Sequence, residues 1–351
     1  MAVPFRLPVP GGPPLLIAGP CSAETEVQLL TTCTELAATG RVHLLRAGIW
    51  KPRTKPGGFE GVGVAGLPWL QRARELTGLP VTVEVATAAH VEAALAHDVD
   101  VLWVGARTTG NPFSVQELAD ALRGVDIPVL VKNPIHPEPE LWVGAVERLT
   151  RANGPQLGLI HRGFSSYGNT DFRNAPMWHL PTEIRQRLPE LPLLCDPSHI
   201  CGRRDTLAGV AQRAADLAFD GLIIEAHHQP DHAWSDAQQQ LTPADLATLL
   251  DGVLWQAAEP EDIAALDVLR TQINHLDDEI LILLGRRMQV AQHIGAYKKQ
   301  HQLSVVQPSR WQEILKKGIR QGTALGLTQD FLLQYFTAVH HESISRQQMV
   351  G

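Results

Sequence analysis

Eight short apolar runs rich in β-branched residues constrain the first two thirds of the chain: Leu15 to Ala18, Val42 to Ala47, Val81 to Val85, Val101 to Gly105, Val129 to Lys132, Leu157 to Ile160, Leu193 to Cys195 and Leu222 to Glu225. Amphipathic helical stretches lie between most of them, which is the βαβ pattern. Runs without a polar face belong to strands covered by helices on both sides, and eight of them within residues 1–255 suit a (β/α)8 TIM barrel, an α/β fold usually of about 250 residues. A doubly wound open sheet is the alternative, weakened because no GxGxxG follows the first run.

After Trp255 the texture changes. The polar stretch 256–262, with Pro260, reads as a linker, and no strand signal follows it. At 351 residues the chain exceeds what one core usually organises, so residues 263–351 are expected to form a separate all-α domain. Ile263, Leu266, Leu269, Ile273, Leu276, Ile280, Leu283 and Leu284 recur at helical spacing, predicting a helix from Asp262 to about Gln302, or ~60 Å at 1.5 Å per residue. A break at Val305 to Pro308 precedes a second helix, Ser309 to Gln321, and a third, Thr328 to Gln347, with Thr328 as its cap. Three helices of unequal length cannot cover the long one, so an intertwined homodimer through this domain is expected.

Composition excludes several classes. No stretch approaches the ~18 apolar residues of a membrane span, and the proline-broken amino terminus lacks the apolar core of a secretory signal; a cytoplasmic protein is expected. Cys21, Cys33, Cys195 and Cys201 form no CxxC pair and should be reduced. A net charge of −7 argues against a nucleic-acid surface, which needs clustered base.

Catalytic groups of such a barrel project from the carboxyl ends of its strands. The polar or reactive residues at or just past the carboxyl ends of the apolar runs are Cys21, Arg46, Glu84, Arg107, Lys132, Arg162, His199 and Glu225. Polar strand ends are ordinary, but ends that merely meet solvent would also draw Ser, Thr, Asn and Gly. Four cations converging on one mouth repel each other unless an anion fills it, and arginine forks suit phosphate and carboxylate. Cys21, His199, Glu225 and Asp236 add a thiolate, an imidazole and two carboxylates, a donor set for a divalent transition metal (Mn2+, Fe2+, Co2+ or Zn2+) rather than Mg2+ or Ca2+. His227 is a second choice as ligand by β alternation, and His228 is read as structural.

The runs GPCS (19–22), KPRT (51–54), GART (105–108), VKN (131–133), HRG (161–163), DPSH (196–199) and SDAQQQL (235–241) resemble the motifs of type I 3-deoxy-D-arabino-heptulosonate 7-phosphate (DAHP) synthases, especially the short β subtype. The resemblance implies condensation of phosphoenolpyruvate with erythrose 4-phosphate, Mn2+ being the foremost metal. It assigns Cys21, His199, Glu225 and Asp236 to the metal. Arg46, Arg107, Lys132 and Arg162 fall to phosphoenolpyruvate, and Lys51, Pro52, Arg53 and Thr54 to erythrose 4-phosphate. Lys51 is also the candidate proton donor, and Glu84 is expected to do no more than orient an arginine. The sister family that uses arabinose 5-phosphate shares most of this set. Its stretch at KPRT resembles KANRS instead.

From Asp262 to Gln347 there are ten Lys or Arg against eight Asp or Glu, a mildly basic tail. Arg287 and Lys298 share one face of the long helix about 16 Å apart, whereas Arg270 lies about 26 Å from Arg287, too far for one small ligand within one chain. Ser343 and Gln347 share a face of the third helix. The runs LDVLRTQINHLDDEILILLGRR, AYKK and PSR resemble the all-helical chorismate mutase family. That resemblance brings Arg270 of one subunit to Arg287, Lys298, Gln307, Arg310, Ser343 and Gln347 of the other around chorismate, with Arg270, Arg287 and Lys298 catalytic. Lys298 would sit beside the breaking ether oxygen. Trp311 stands where an acid commonly follows the arginine, and Gln307 where Asp is common. An effector role, with chorismate or prephenate inhibiting the synthase through the tail, is expected alongside or instead of catalysis.

Overall fold

A computed structural model of the chain describes residues 5–51, 57–152, 156–166, 171–255 and 260–349, with side chains described throughout these except at 260–269, 271 and 272. The chain divides into two compact units, Met1–Gln256 and Ala257–Gly351.

In the first unit eight parallel strands close into a barrel in chain order: β1 (Leu15–Gly19), β2 (Leu44–Arg46), β3 (Val81–Val85), β4 (Val101–Val104), β5 (Val129–Lys132), β6 (Leu157–His161), β7 (Leu193–Cys195) and β8 (Gly221–Glu225). Between and after them run α1 (Glu26–Ala38), α2 (Leu67–Thr77), α3 (Ala88–Ala96), α4 (Pro112–Ala121), α5 (Pro139–Arg151), α6 (His179–Arg187), α7 (Leu207–Asp216) and α8 (Pro243–Gly252). The TIM-barrel expectation holds. β2 is shorter than the apolar run Val42 to Ala47, because its pairing with β1 covers only Leu44 and Leu45 and its pairing with β3 only Leu45 and Arg46. Several helices start where a side chain satisfies an orphan amide: Thr25 accepts from Gln28 N, Thr87 from His90 N, Asn111 from Phe113 N and Thr242 from Asp245 N.

Alternation along the strands sorts the core into two shells. Ile17, Leu44, Val101, Trp103, Leu130, Ile160, Leu194 and Ile223 fill the barrel, while their neighbours, such as Val129 and Val131, pack under the helices. Continued to the carboxyl ends, the same parity turns Arg46, Glu84, Lys132 and Glu225 toward the mouth. At Gly19, φ is +152° and an added Cβ would lie 1.9 Å from Arg46 O. Glycine is therefore required where β1 leaves the barrel for the Cys21 loop.

The second unit has α9 (Pro260–Gln300), α10 (Pro308–Ala324) and α11 (Gln329–Gln348). α9 has 41 residues, ~60 Å. Thr328 caps α11, accepting from Phe331 N. α10 runs past the expected Gln321 to Ala324, ending where Gly326 takes a φ of +85°. Leu276, Ile280 and Leu283 stay exposed on α9, a face its own two partner helices leave uncovered. Among the described residues no helix is long and apolar enough to cross a membrane.

Candidate functional site

Trp103 forms the top of the barrel's apolar filling, fully buried. Arg46 lies over its ring with Cζ 5.0 Å from the centroid, and Lys132 with Nζ at 5.8 Å. The indole N–H donates to Glu84 Oε2 at 3.2 Å. Glu84 in turn crowds Gly105, where a Cβ would stand 2.0 Å from Glu84 Oε1, so any side chain there would have to push Glu84 aside. Glu84 therefore holds the tryptophan, a task beyond the arginine-orienting one expected of it.

The cations are held by buried acceptors. Lys132 Nζ donates to Asp196 Oδ2 at 2.8 Å, and Arg46 NH1 is 3.2 Å from Glu225 Oε1. Arg162 NH1 donates to Asn174 Oδ1 at 2.7 Å, and its amide to Asn133 Oδ1 at 2.7 Å. Burial pulls the Arg162 pKa down to about 10; Asp196 opposes this, and Arg173 and Arg107 nearby add to it. Arg173 and Arg107 are thus close enough for their positive charge to be felt at Arg162, a repulsion that an anion would relieve. Burial alone would raise the Asp196 carboxyl, but His199 and Lys132 hold it well below the usual range.

The expected metal donors come together as two pairs. Cys21 Sγ is 3.2 Å from Asp236 Oδ2, and His199 Nε2 is 3.9 Å from Glu225 Oε1. His199 Nδ1 lies 2.8 Å from Asp196 Oδ2, which leaves Nε2 to face inward, the way a carboxylate orients a ligating imidazole. Gln239 Nε2 donates to Glu225 Oε2 at 2.6 Å, while Glu225 Oε1, fully buried, accepts no hydrogen bond. Arg173 NH1 anchors Asp236 Oδ1 at 2.8 Å and Gln239 Oε1 at 2.7 Å. Among the described residues no three His, Cys, Asp or Glu groups already close on one point. The donors nevertheless fit a divalent transition metal: soft and hard ligands combined, a buried carboxylate oxygen held only by an ion pair with Arg46, and an imidazole fixed by a carboxylate. Burial first, then Glu225, pushes the Cys21 thiol up to about 11, so a metal would have to displace its proton.

Lys51 Nζ donates to Cys21 O at 2.8 Å and Sγ at 3.1 Å, which puts the candidate proton donor beside the metal donors. Pro52, Arg53 and Thr54 lie outside the described residues. His227 faces Glu24, Nε2 to Oε2 3.7 Å, and His228 Nδ1 meets Thr32 Oγ1 at 3.1 Å. Sequence reasoning missed Asp196, Arg173, Asn133, Asn174, Gln239 and Trp103. Asp196, Asn133 and Gln239 lay inside the quoted motifs DPSH, VKN and SDAQQQL, whereas Arg173, Asn174 and Trp103 carried no signal.

In the helical unit Arg287, Lys298, Gln307, Arg310, Ser343 and Gln347 all line one cavity of about 400 Å³. Arg287 NH1 donates to Ser343 Oγ, and Lys298 Nζ donates to Val305 O at 2.7 Å and Gln347 Oε1 at 3.2 Å. Arg270 is exposed on α9 and does not line it.

Residues 10–260 match the model of the DAHP synthetase I family, and residues 269–348 that of chorismate mutase type II. The phospho-2-dehydro-3-deoxyheptonate aldolase of Thermotoga maritima is 31% identical over 226 residues, 64% of each chain. The match thus spans about 64% of that relative's length. A 2-dehydro-3-deoxyphosphooctonate aldolase of Methylobacterium radiotolerans is 29% identical over 262 residues, covering 69% of this chain and 88% of that one. The crystal structure of the Thermotoga maritima DAHP synthase is similar with a TM-score of 0.62 at 29% identity, over 70% of this chain and 69% of the other.

Proposed function

Because the chain belongs to the DAHP synthetase I family and carries a type II chorismate mutase segment behind the barrel, we propose that it is a bifunctional enzyme of aromatic biosynthesis. The barrel condenses phosphoenolpyruvate with erythrose 4-phosphate and one water, which adds at C2, to DAHP and phosphate, and the helical unit rearranges chorismate to prephenate. The observation that carries the first activity is the convergence of Arg46 and Lys132 over Trp103, with Arg162 near the same Asp196 that holds Lys132, next to the paired donors Cys21–Asp236 and His199–Glu225.

Arg107, Lys132 and Arg162, with Arg46, hold the phosphate and carboxylate of phosphoenolpyruvate and keep its C3 aimed at the aldehyde. Cys21, His199, Glu225 and Asp236 would hold a divalent transition metal, Mn2+ foremost, which when bound supplies Lewis acidity toward the aldehyde oxygen. Lys51, half-buried beside Cys21, would give a proton to the new alkoxide. Pro52, Arg53 and Thr54 take the sugar phosphate. The relative named for phosphooctonate chemistry favours arabinose 5-phosphate as the competing substrate; phosphoenolpyruvate consumption with either sugar tests the choice.

In the tail, Arg287, Arg310 and Lys298 match a small dicarboxylate, with Lys298 at the ether oxygen. The uncovered apolar face of α9 supports a homodimer in which Arg270 comes from the second copy. The same cavity would let chorismate or prephenate act as effectors of the synthase. Loss of chorismate absorbance, in wild type and Lys298→Ala, tests the mutase; no loss in wild type leaves the tail a dimerisation and effector-binding module.

A further inference from the structure

The cavity of the helical unit contains cations but no acid. Arg287, Lys298 and Arg310 line it, and no Asp or Glu does so among the described residues; Glu313, which pairs with Arg310 NH1 at 3.0 Å, lines the adjoining hollow instead. These cations answer two carboxylates and an ether oxygen. They do not answer a ring hydroxyl, which needs an acceptor for its proton.

Most of the cavity's acceptors are already engaged. Ser343 Oγ donates to Val339 O at 2.7 Å while accepting from Arg287, and Gln347 Oε1 and Val305 O both accept from Lys298. His340 is differently placed. Its ring lies flat on Trp311, centroids 4.1 Å apart and planes 15° from parallel, and both residues line the cavity. The stack fixes the ring plane and leaves the nitrogen edge as the polar part. Burial first, then His341, Arg287 and Lys298, lowers the imidazole's affinity for a proton, and a neutral imidazole has one nitrogen able to accept.

Resting on the mutase assignment, we propose that His340, held in plane by Trp311, is the specificity-determining residue that accepts the ring hydroxyl of the cyclic dicarboxylate, a task otherwise suited to a carboxylate. Trp311 is its positioning residue. A histidine serves here without adding negative charge beside the dianion.

The test uses the full chain with chorismate, measuring kcat and KM for wild type, His340→Phe, His340→Gln and Trp311→Leu, with melting temperatures to confirm folding. Losing one neutral hydrogen bond corresponds to about a fivefold to tenfold rise in KM. That rise is expected for His340→Phe, which keeps the stack, with little change in kcat. His340→Gln, which keeps an acceptor, should recover most of it, and Trp311→Leu should raise KM by a smaller factor. An unchanged KM in a folded His340→Phe, or no recovery in His340→Gln, overturns the proposal and leaves the mutase assignment standing. A wild-type chain that neither turns over chorismate nor binds it by calorimetry overturns the assignment and the proposal together.

Discussion

The Asp196 carboxylate joins the two halves of the barrel site: its Oδ2 accepts from Lys132 Nζ at 2.8 Å and lies 2.8 Å from His199 Nδ1. A single buried group would thus aim the cation proposed for phosphoenolpyruvate and orient a proposed metal donor. Asp196→Asn keeps the volume but removes the charge, so KM for phosphoenolpyruvate and metal affinity should worsen together. Removing such an outer partner typically weakens a metal ligand about 10- to 100-fold. Calorimetric titration of Mn2+, beside phosphoenolpyruvate kinetics, checks the coupling; loss of only one would separate the roles.

Trp103 carries Arg46 and Lys132 over its ring. Trp103→Phe keeps a weaker face and should raise KM for phosphoenolpyruvate by about threefold, whereas Trp103→Leu, with no face, should cost about tenfold or more. KM for the sugar should stay near wild type in both. Equal effects on the two substrates would mean that the tryptophan acts through packing alone.

Much of this was legible beforehand. The strands declared themselves because burial on both faces forces continuous apolar runs, and Arg46 and Lys132 followed as the cations at the carboxyl ends of those runs. Trp103 escaped for the same reason, since inside an apolar run an indole reads as core. Arg173 sits in the loop between β6 and α6 and meets Asp236 across 63 residues, a pairing with no periodicity to betray it. Asp196 lay inside the DPSH motif, but the role assigned there went to His199 alone. The shape of the KPRT loop falls outside the described residues.

His161, next to Arg162, is buried among Phe164, Trp178 and Phe219. Burial drives its pKa down from 6.5 to about 3. The unfolded chain binds a proton there below about 6.5 and the fold does not, so this contribution is intact above pH 6.5 and drains away as pH falls toward 3. His161→Phe should flatten the fall in barrel melting temperature between pH 7 and 4. Parallel curves for the two proteins would refute it.

If the helical cavity senses product, prephenate should inhibit DAHP formation by the intact chain. Arg287→Ala, which removes a cation from the cavity, should raise the concentration needed for half inhibition by about tenfold or more, with uninhibited synthase activity unchanged. Inhibition insensitive to Arg287 would move the effector site elsewhere.

The most direct test of the central claim is phosphoenolpyruvate consumption by the full chain with erythrose 4-phosphate or arabinose 5-phosphate, before and after chelation and Mn2+ return. The account predicts turnover with erythrose 4-phosphate, lost on chelation and restored by Mn2+. Preference for arabinose 5-phosphate, or full activity after complete metal removal, would contradict it.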